Sequence, residues 1–537
     1  MQDNSTEEYG LAQRSRIQNV SNNFIWTAAN SLVSTIFPFI VRSLLIRYIG
    51  IEYSGVSSLF TSVFQVLSVA ELGIGNAVVF YLYRSVGQWD VPQTRYFLRM
   101  LRRIYRIIGA IITAAGVILF PFVPYLVKGK EYPNGLNLYV IFAIYIINAA
   151  FAYLTAGYRT ILLQADQRAD VVEKAGVCAG ASMYVLQIGA ILLTGNYYIY
   201  CGLLLISPVF NTVLPAIAAG RLYPEIFEKE EKEESYQPEP GFRKDFMTRI
   251  ISIALAKIRN ISRNSFDSIV ISAFLGLSVL AMYQNYYQIM LVPITMLGML
   301  HRAVGPSLGN SVAMENQTSN YQVLRIYSFI QQGAVAICLS CLLNLYQPFM
   351  RLWVGEDYLL PYEMVILFCI YFYLMSLSDI GELLKETTGV WSQERVLAVV
   401  EASANLVLNL ILVAFWGVAG VVLATIITLA CINLPFEFLT LFRRYFNQNG
   451  LDYFRIQLKY ALTTILACGC SCLLCHKIPE TGILWFGVRL LVSVCIPGMI
   501  LLFIYRKSKE MRWMQSIMSV ILQPLQNRLG RRGGKDG

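Results

Sequence analysis

Apolar residues recur along this chain in long runs separated by short polar gaps, as in Ile107–Val127, Leu138–Tyr158 and Leu484–Tyr505. A helix needs roughly 20 apolar residues to cross the hydrocarbon of a bilayer. The pattern predicts spans near residues 23–48, 54–83, 103–128, 136–163, 171–194, 197–222, 246–276, 279–302, 321–347, 360–385, 393–415, 418–442, 458–476 and 482–506. The expected fold is therefore an all-α polytopic membrane protein of about 14 transmembrane helices. The first twenty residues are polar, and 24–46 is too long for the core of a cleavable signal. The first span is expected to stay.

Composition agrees with that reading. Of the 537 residues 56% are hydrophobic and 14% charged, whereas a soluble chain carries about 25% charged residues. The net charge of +10 does not imply nucleic acid, because cationic loops hold a membrane protein on its cytoplasmic side. Reading the N-terminus as cytoplasmic puts most of the 43 Lys and Arg into the even-numbered gaps. The outer gaps keep only Arg47, Lys128, Lys130, Arg351 and Lys477. Both termini are thus expected in the cytoplasm, at the inner (plasma) membrane. The eleven cysteines sit almost entirely in apolar runs. Cys468, Cys470, Cys472 and Cys475 beside His476 resemble a metal set, but inside a span they read as small packing residues.

The acidic, Pro-bearing stretch Glu225–Gly241 is the longest polar interruption and reads as a flexible linker. It divides the chain into an N-terminal lobe (1–222), a cytoplasmic linker (223–245), a C-terminal lobe (246–446), a terminal helix pair (447–506) and a basic tail (507–537). The tail opens with an amphipathic stretch suited to anionic membrane lipids. An internal repeat relates the lobes. Val127-Lys128-Gly129-Lys130-Glu131-Tyr132 matches Trp353-Val354-Gly355-Glu356-Asp357-Tyr358, with Gly129 and Gly355 226 positions apart. Gly50 and Gly276 share that offset. Two six-helix lobes in one orientation place a substrate site between them near midplane.

Polar residues at membrane depth then mark candidate chemistry, since each charge in a span costs about 2.5–3.5 kcal/mol on insertion scales. Span seven carries Arg249, Lys257, Arg259, Asn260, Arg263, Asn264 and Asp267, and Asn260, Arg263, Asn264 and Asp267 fall at i, i+3, i+4 and i+7 on one helical face. An Arg263–Asp267 pair accounts for part of this. The rest points to a water-filled, positively charged cavity. Asn23, Thr27, Asn30 and Ser34 make a polar face on span one, with Arg42 off to one side, and span fourteen adds Arg489. Glu401, Asn405 and Asn409 form an i, i+4, i+8 ladder that equally suits interhelical hydrogen bonding. Tyr283, Asn285 and Tyr286 open span eight, and aromatic and amide groups suit sugars, although tyrosines also anchor span ends. Glu71, beside Gly73 and Gly75, suggests a broken helix. Glu71, Asp267, Asp379, Glu382 and Glu401 are candidates for a coupling cation, H+ or Na+; no other cofactor and no metal is expected.

An amphipathic start (Arg14-Ser15-Arg16-Ile17), the Asn/Ser/Thr face of span one, Tyr48-Ile49-Gly50-Ile51-Glu52-Tyr53-Ser54-Gly55 and Glu71-Leu72-Gly73-Ile74-Gly75 resemble the polysaccharide transporter branch of the multidrug/oligosaccharidyl-lipid/polysaccharide exporter superfamily, the Wzx-type flippases. That resemblance implies two lobes around a V-shaped cavity and a polyprenyl-diphosphate-linked oligosaccharide as substrate. It also implies alternating access for surface polysaccharide export, alongside a polysaccharide polymerase and glycosyltransferases of the same pathway. By the same resemblance the last two spans line a groove for the lipid tail. On this reading Lys257, Arg259, Arg263, Arg42 and Arg489 meet the diphosphate, and Asn30, Asn260, Asn264, Tyr283, Asn285 and Tyr286 meet the sugars. The alternative is a cation-coupled drug or small-molecule antiporter of the same fold, against which the Arg/Lys-rich span seven argues. An enzyme is disfavoured by short outer gaps, two histidines, and the lack of a Walker A or Asp-x-Asp sequence.

Overall fold

The computed structural model describes residues 16–68, 74–130, 132–227, 236, 238, 242, 246, 248, 263–314, 317–388, 394–446 and 450–514. These are almost wholly helical, with no strand among them. The main helices are α1 (Arg16–Tyr48), α2 (Ile51–Leu67), α3 (Ile74–Gly87), α4 (Val91–Leu119), α5 (Leu138–Leu154), α6 (Tyr158–Ala165), α7 (Ala169–Thr194), α8 (Tyr197–Gly202) and α9 (Ile206–Leu222). There follow α10 (263–275), α11 (Leu277–Met314), α12 (Gln317–Trp353), α13 (Tyr362–Thr388), α14 (Glu394–Thr428), α15 (Leu434–Arg444), α16 (Leu451–Cys475) and α17 (Ile483–Tyr505). Nine helices among the described residues are long and apolar enough to cross a membrane. The pair α5–α6, bent by 53°, adds a tenth if taken as one span.

Glycine sets the helix ends. Gly50, Gly276 and Gly355 all have positive φ (135°, 101° and 104°). Each donates its N–H to the carbonyl five residues back, at Leu45, Ile271 and Met350. This is a helix-ending turn that a side chain resists. Gly129, the repeat partner of Gly355, also has positive φ, at 61°. The two repeat offsets thus fall on glycines that all adopt positive φ. Gly417 (φ 56°, ψ −132°) interrupts α14 between the expected spans eleven and twelve. A Cβ on Gly420 would stand 2.1 Å from the Leu412 carbonyl oxygen, so the chain folds back tightly there.

Contacts divide the chain into two units, Met1–Ala281 with Glu394–Val421, and Met282–Gln393 with Val422–Gly537. In the first unit, α1 packs along α7 with Phe37 stacked on Tyr184, and α2 packs on α5 through Phe60 and Phe64 against Phe142 and Tyr145. Helix α4 starts at Asp90, whose carboxylate accepts from Gln93 N at 2.9 Å, a capping arrangement that satisfies an otherwise orphan amide. Its Phe97, Leu101, Tyr105, Ile108 and Ile112 are buried at helical spacing. Within the stretch read as a linker, Tyr236 and Phe242 dock on α3 and α4. The Gln93 amide donates to the Tyr236 hydroxyl at 2.8 Å, and Phe242 meets Tyr81 and Phe97. The aromatic residues of that segment override its polar composition.

In the second unit α12 is packed by α13, α16 and α17. The Asn344 amide donates to Ser471 at 2.9 Å and to Ser493 at 3.1 Å, joining three helices through one buried amide. Cys468 and Cys475 are buried on α16, with Cys468 Sγ 3.9 Å from the Ala336 carbonyl oxygen. Small side chains here let the helices approach closely.

A close approach in the first unit supplies a stability test. A Cβ at Gly55 would lie 2.2 Å from the Leu277 carbonyl oxygen, whereas one at Gly189 meets nothing within 4 Å. Gly55→Val is expected to destabilise the protein by at least ~1–3 kcal/mol, read as a lower melting temperature in detergent. Gly189→Ala should leave the melting temperature unchanged or raise it slightly.

Candidate functional site

The first unit holds a buried polar constellation shared by α10 and α14. Arg263 and Asp267, one turn apart on α10, are 4% and 0% exposed, and Glu401, Asn405 and Asn409 on α14 are at 1% or less. Arg263 donates through Nε and a terminal nitrogen to one oxygen of Glu401, at 2.9 and 2.5 Å. The Asn409 amide donates to Asp267 at 2.6 Å and to the Asn405 carbonyl oxygen at 3.3 Å. On the same α10 turn Ser265 donates to Gln65 of α2 at 3.1 Å. A helical i, i+4 pair therefore faces an i, i+4, i+8 ladder, rung by rung.

The expected Arg263–Asp267 ion pair is replaced by two separate contacts. Arg263 is neutralised by Glu401, and Asp267 is held by an amide. Both partners come from α14, so a pairing read within one helix missed them. Among the described residues, two anions and one cation meet here, formally −1. Glu401 competes directly with any anionic ligand for Arg263. Asp267 with the side-chain oxygens of Asn405 and Asn409 gives an oxygen-rich corner suited to a small hard cation. The Asn409 carbonyl oxygen there is buried with no hydrogen-bond partner among the described residues. Those residues contain no group of three His, Cys, Asp or Glu side chains able to hold a metal ion.

The remaining expected residues fall elsewhere. Lys257, Arg259, Asn260 and Glu71 lie outside the described residues. Asn264 is half-buried on α10 beside Arg263. Arg42 donates to Ser58 Oγ at 3.3 Å and to the Ala281 carbonyl at 3.1 Å, tying α1 to α2 and to the first turns of α11. Asn30 donates to Glu173 of α7 at 2.8 Å, and Asn23 donates to the Gln167 carbonyl at 3.0 Å. Two members of the span-one polar face thus work between helices, while Thr27 and Ser34 are exposed. Arg489 is 5% exposed and donates to the carbonyls of Pro479, Ile478 and Asn344 at 3.1, 2.6 and 3.4 Å. These contacts clasp the turn before α17. Tyr283, Asn285 and Tyr286 are fully buried in the second unit. Tyr283 stacks near Tyr287 and Phe368, and Tyr286 donates to Gln347 at 3.0 Å and accepts from Leu360 N at 3.0 Å. Their faces are occupied by protein.

One buried charge went unread in the sequence. Lys385, 3% exposed, bonds Glu437 at 2.7 Å and Glu382 at 3.2 Å, and Ser378 donates to Glu437 at 3.2 Å. Gly381 makes room, since a Cβ there would stand 2.6 Å from Glu437 Oε2. Lys385 closes the expected span 360–385, where a cation reads as an ordinary span end. The signal available was Glu437 alone in the apolar run Leu434-Pro435-Phe436-Glu437-Phe438-Leu439.

Buried ion pairs are costly to break on one side only. Glu401→Ala should destabilise the protein by about 3–5 kcal/mol, because Arg263 is left charged and unpaired. Arg263→Met combined with Glu401→Gln should recover most of that loss. Thermal unfolding of the purified variants checks both.

The chain matches the family model "Polysaccharide biosynthesis protein" over residues 20–311. No curated protein is significantly similar to it in sequence. Among solved structures it resembles the lipid II flippase MurJ in an inward closed conformation, with a TM-score of 0.64 and 15% identity over 90% of this chain and 99% of that one. It also resembles a multidrug resistance MATE family transporter of the MOP superfamily in an inward-facing conformation, with a TM-score of 0.61 and 14% identity over 79% and 98%. A third neighbour is a MOP superfamily transporter from Pyrococcus furiosus described by a binding pocket of reverse polarity, with a TM-score of 0.51 and 12% identity over 81% and 97%. These neighbours are transporters and a flippase rather than enzymes, and the fold is the one they share. The chain is a multi-pass membrane protein that belongs to the polysaccharide biosynthesis protein family.

Proposed function

We propose that this protein is a flippase that carries polyprenyl-diphosphate-linked oligosaccharide across the cytoplasmic membrane for surface polysaccharide export. The lobes 1–222 and 246–446 alternate access, and both termini are cytoplasmic. A diphosphate brings about two negative charges and a glycan brings many hydroxyls, and neither crosses hydrocarbon unaided. The family match supports a glycan substrate, and the fold of a lipid II flippase supports a lipid-linked one. The polymerase and glycosyltransferases of the same pathway would act on either side of this step.

The observation that carries the mechanism is the buried Arg263–Glu401 pair. A guanidinium held by a carboxylate at membrane depth is a binding site already filled by an internal anion. Protonation of Glu401 releases Arg263 to the diphosphate, which offers the same planar, bidentate recognition. Deprotonation lets Glu401 retake Arg263 and expel the lipid head. Substrate loading and proton uptake are then one event, so proton and lipid cross together and the cycle runs as symport. Lys257 and Arg259, shortly before Arg263 in the sequence, supply the further positive charge that the diphosphate needs. Asp267 with Asn405 and Asn409 is the corner for Na+ if that ion shares the coupling. The polar residues Asn30, Asn260 and Asn264 remain candidates for sugar contact.

The MATE neighbours favour a second reading, a cation-coupled antiporter of small molecules. Reconstituted vesicles separate the two. The flippase reading predicts movement of a fluorescent polyprenyl-diphosphate sugar between leaflets, driven by a proton gradient, and no expulsion of a cationic dye. Lys257→Gln with Arg259→Gln should abolish the movement while the protein still inserts. Glu401→Gln should keep lipid binding but lose the response to the gradient. Dye efflux without lipid movement would overturn the reading, and so would a Glu401→Gln variant with normal gradient dependence.

A further inference from the structure

Helices α5 and α6 meet at a bend of 53° that contains Gly157. A Cβ on Gly157 would stand 2.4 Å from the Ala152 carbonyl oxygen, so only glycine fits the bend. Beside it lies a cavity of about 470 Å³, bounded by α4, α5, α6, α7 and α9 of the first unit. Small-molecule sites span about 300–1,000 Å³. Ser207 and Asn211, one turn apart, and Pro208 and Thr212, one turn apart, turn the same side of α9 to the cavity. Asn148 of α5 lines it as well.

These polar groups have capacity to spare. The Asn211 amide donates to Ser207 at 3.2 Å, which leaves its carbonyl oxygen and its second N–H unbonded among the described residues. Asn148 has no hydrogen-bond partner among them. Thr212 is 2% exposed, lines the cavity, and its hydroxyl is likewise unpartnered there. Thr160, by contrast, donates to the Gly157 carbonyl at 2.7 Å. Unpaired amides and hydroxyls are costly at membrane depth, so this cavity suits a polar occupant.

Charge narrows the class. No described residue lining the cavity is ionised. Arg159, two residues past Gly157, donates to the Ala216 carbonyl at 3.3 Å and lies 4.4 Å over the Phe227 ring. A carboxylate or phosphate inside would lose its hydration without gaining a counter-charge. An aliphatic ligand would leave the amides unpaired. A pyranose avoids both penalties. Its hydroxyls donate to and accept from amide and hydroxyl groups, and its C–H face suits aromatic surface, whose face carries negative charge density. Tyr105 and Tyr153, also in the lining, supply that surface, their rings edge to face with centroids 5.6 Å apart.

We propose that this cavity is a sugar-binding subsite that takes one neutral hexose residue through Asn148, Asn211 and Thr212. It rests on the glycan reading above for the source of that sugar, and assigns the contact to residues apart from Asn30, Asn260 and Asn264. The amides fix the hydroxyls, and the uncharged lining rejects acidic sugars.

Saturation-transfer NMR on the full chain, in a detergent with no sugar headgroup, tests the assignment. The probes are the methyl glycosides of glucose, galactose and mannose, and methyl glucuronide. At least one neutral glycoside should bind, with the glucuronide at least about tenfold weaker. Asn211→Leu and Thr212→Val should each weaken the neutral glycoside by about tenfold. Thr212→Val keeps the side-chain shape and so carries the test if the other variant unfolds. No binding of any neutral glycoside, equal binding of the glucuronide, or undiminished binding by Thr212→Val would each overturn the proposal. Lipid-linked glycan movement by a wild type that binds no glycoside would sink this subsite and leave the flippase reading standing. Glycoside binding without lipid movement would do the reverse.

Discussion

A guanidinium and a carboxylate removed from water must stay together, and this constraint organises the first unit. Arg263 and Glu401 come from positions 138 residues apart, yet both are almost fully buried and bonded through two nitrogens to one oxygen. The pair fixes α10 against the first half of α14, and the Asp267–Asn409–Asn405 chain repeats that fixation a turn away. Desolvation of two ions is repaid only when geometry and secondary hydrogen bonds are good. A buried pair is therefore weak as a source of stability and strong as a switch. On the proposed mechanism, neutralising the carboxylate changes which anion the arginine holds.

The same logic separates polar groups that build the fold from those free to act on a ligand. Arg489 spends its donors on three carbonyls around the last turn, and Asn344 spends its amide on two serines. Arg42 ties two helices to a carbonyl at Ala281. Each satisfies backbone or side-chain groups at buried or part-buried positions. The Arg263 contact differs because its partner is a carboxylate buried with it. On the proposed mechanism a proton undoes it, whereas a carbonyl contact has no comparable control.

Most of the architecture was legible in the sequence because a bilayer imposes a length on every apolar run. The glycines at 50, 276 and 355 marked helix ends, since only glycine relieves the steric cost of positive φ there. The bend at Gly157 was missed, because the expected span 136–163 runs straight through it. The site was legible by face and not by partner. The i, i+4, i+8 ladder of Glu401, Asn405 and Asn409 was recognised, yet its pairing with Arg263 and Asp267 needed the packing of two helices distant in sequence. Tyr283 and Tyr286 misled for a related reason. Their composition suits sugars, but their faces are filled by Phe368 and Tyr346. Periodicity tells which residues share a side of a helix. It does not tell whether that side meets ligand or another helix.

The central claim is that loading an anionic lipid head and protonating Glu401 are one event. Calorimetric titration of the purified protein with a polyprenyl diphosphate, in buffers of different ionisation enthalpy near neutral pH, measures the protons exchanged on binding. The account predicts uptake of about one proton per lipid bound by the wild type and none by the Glu401→Gln variant. Binding by the wild type with no proton uptake, or with proton release, would contradict it.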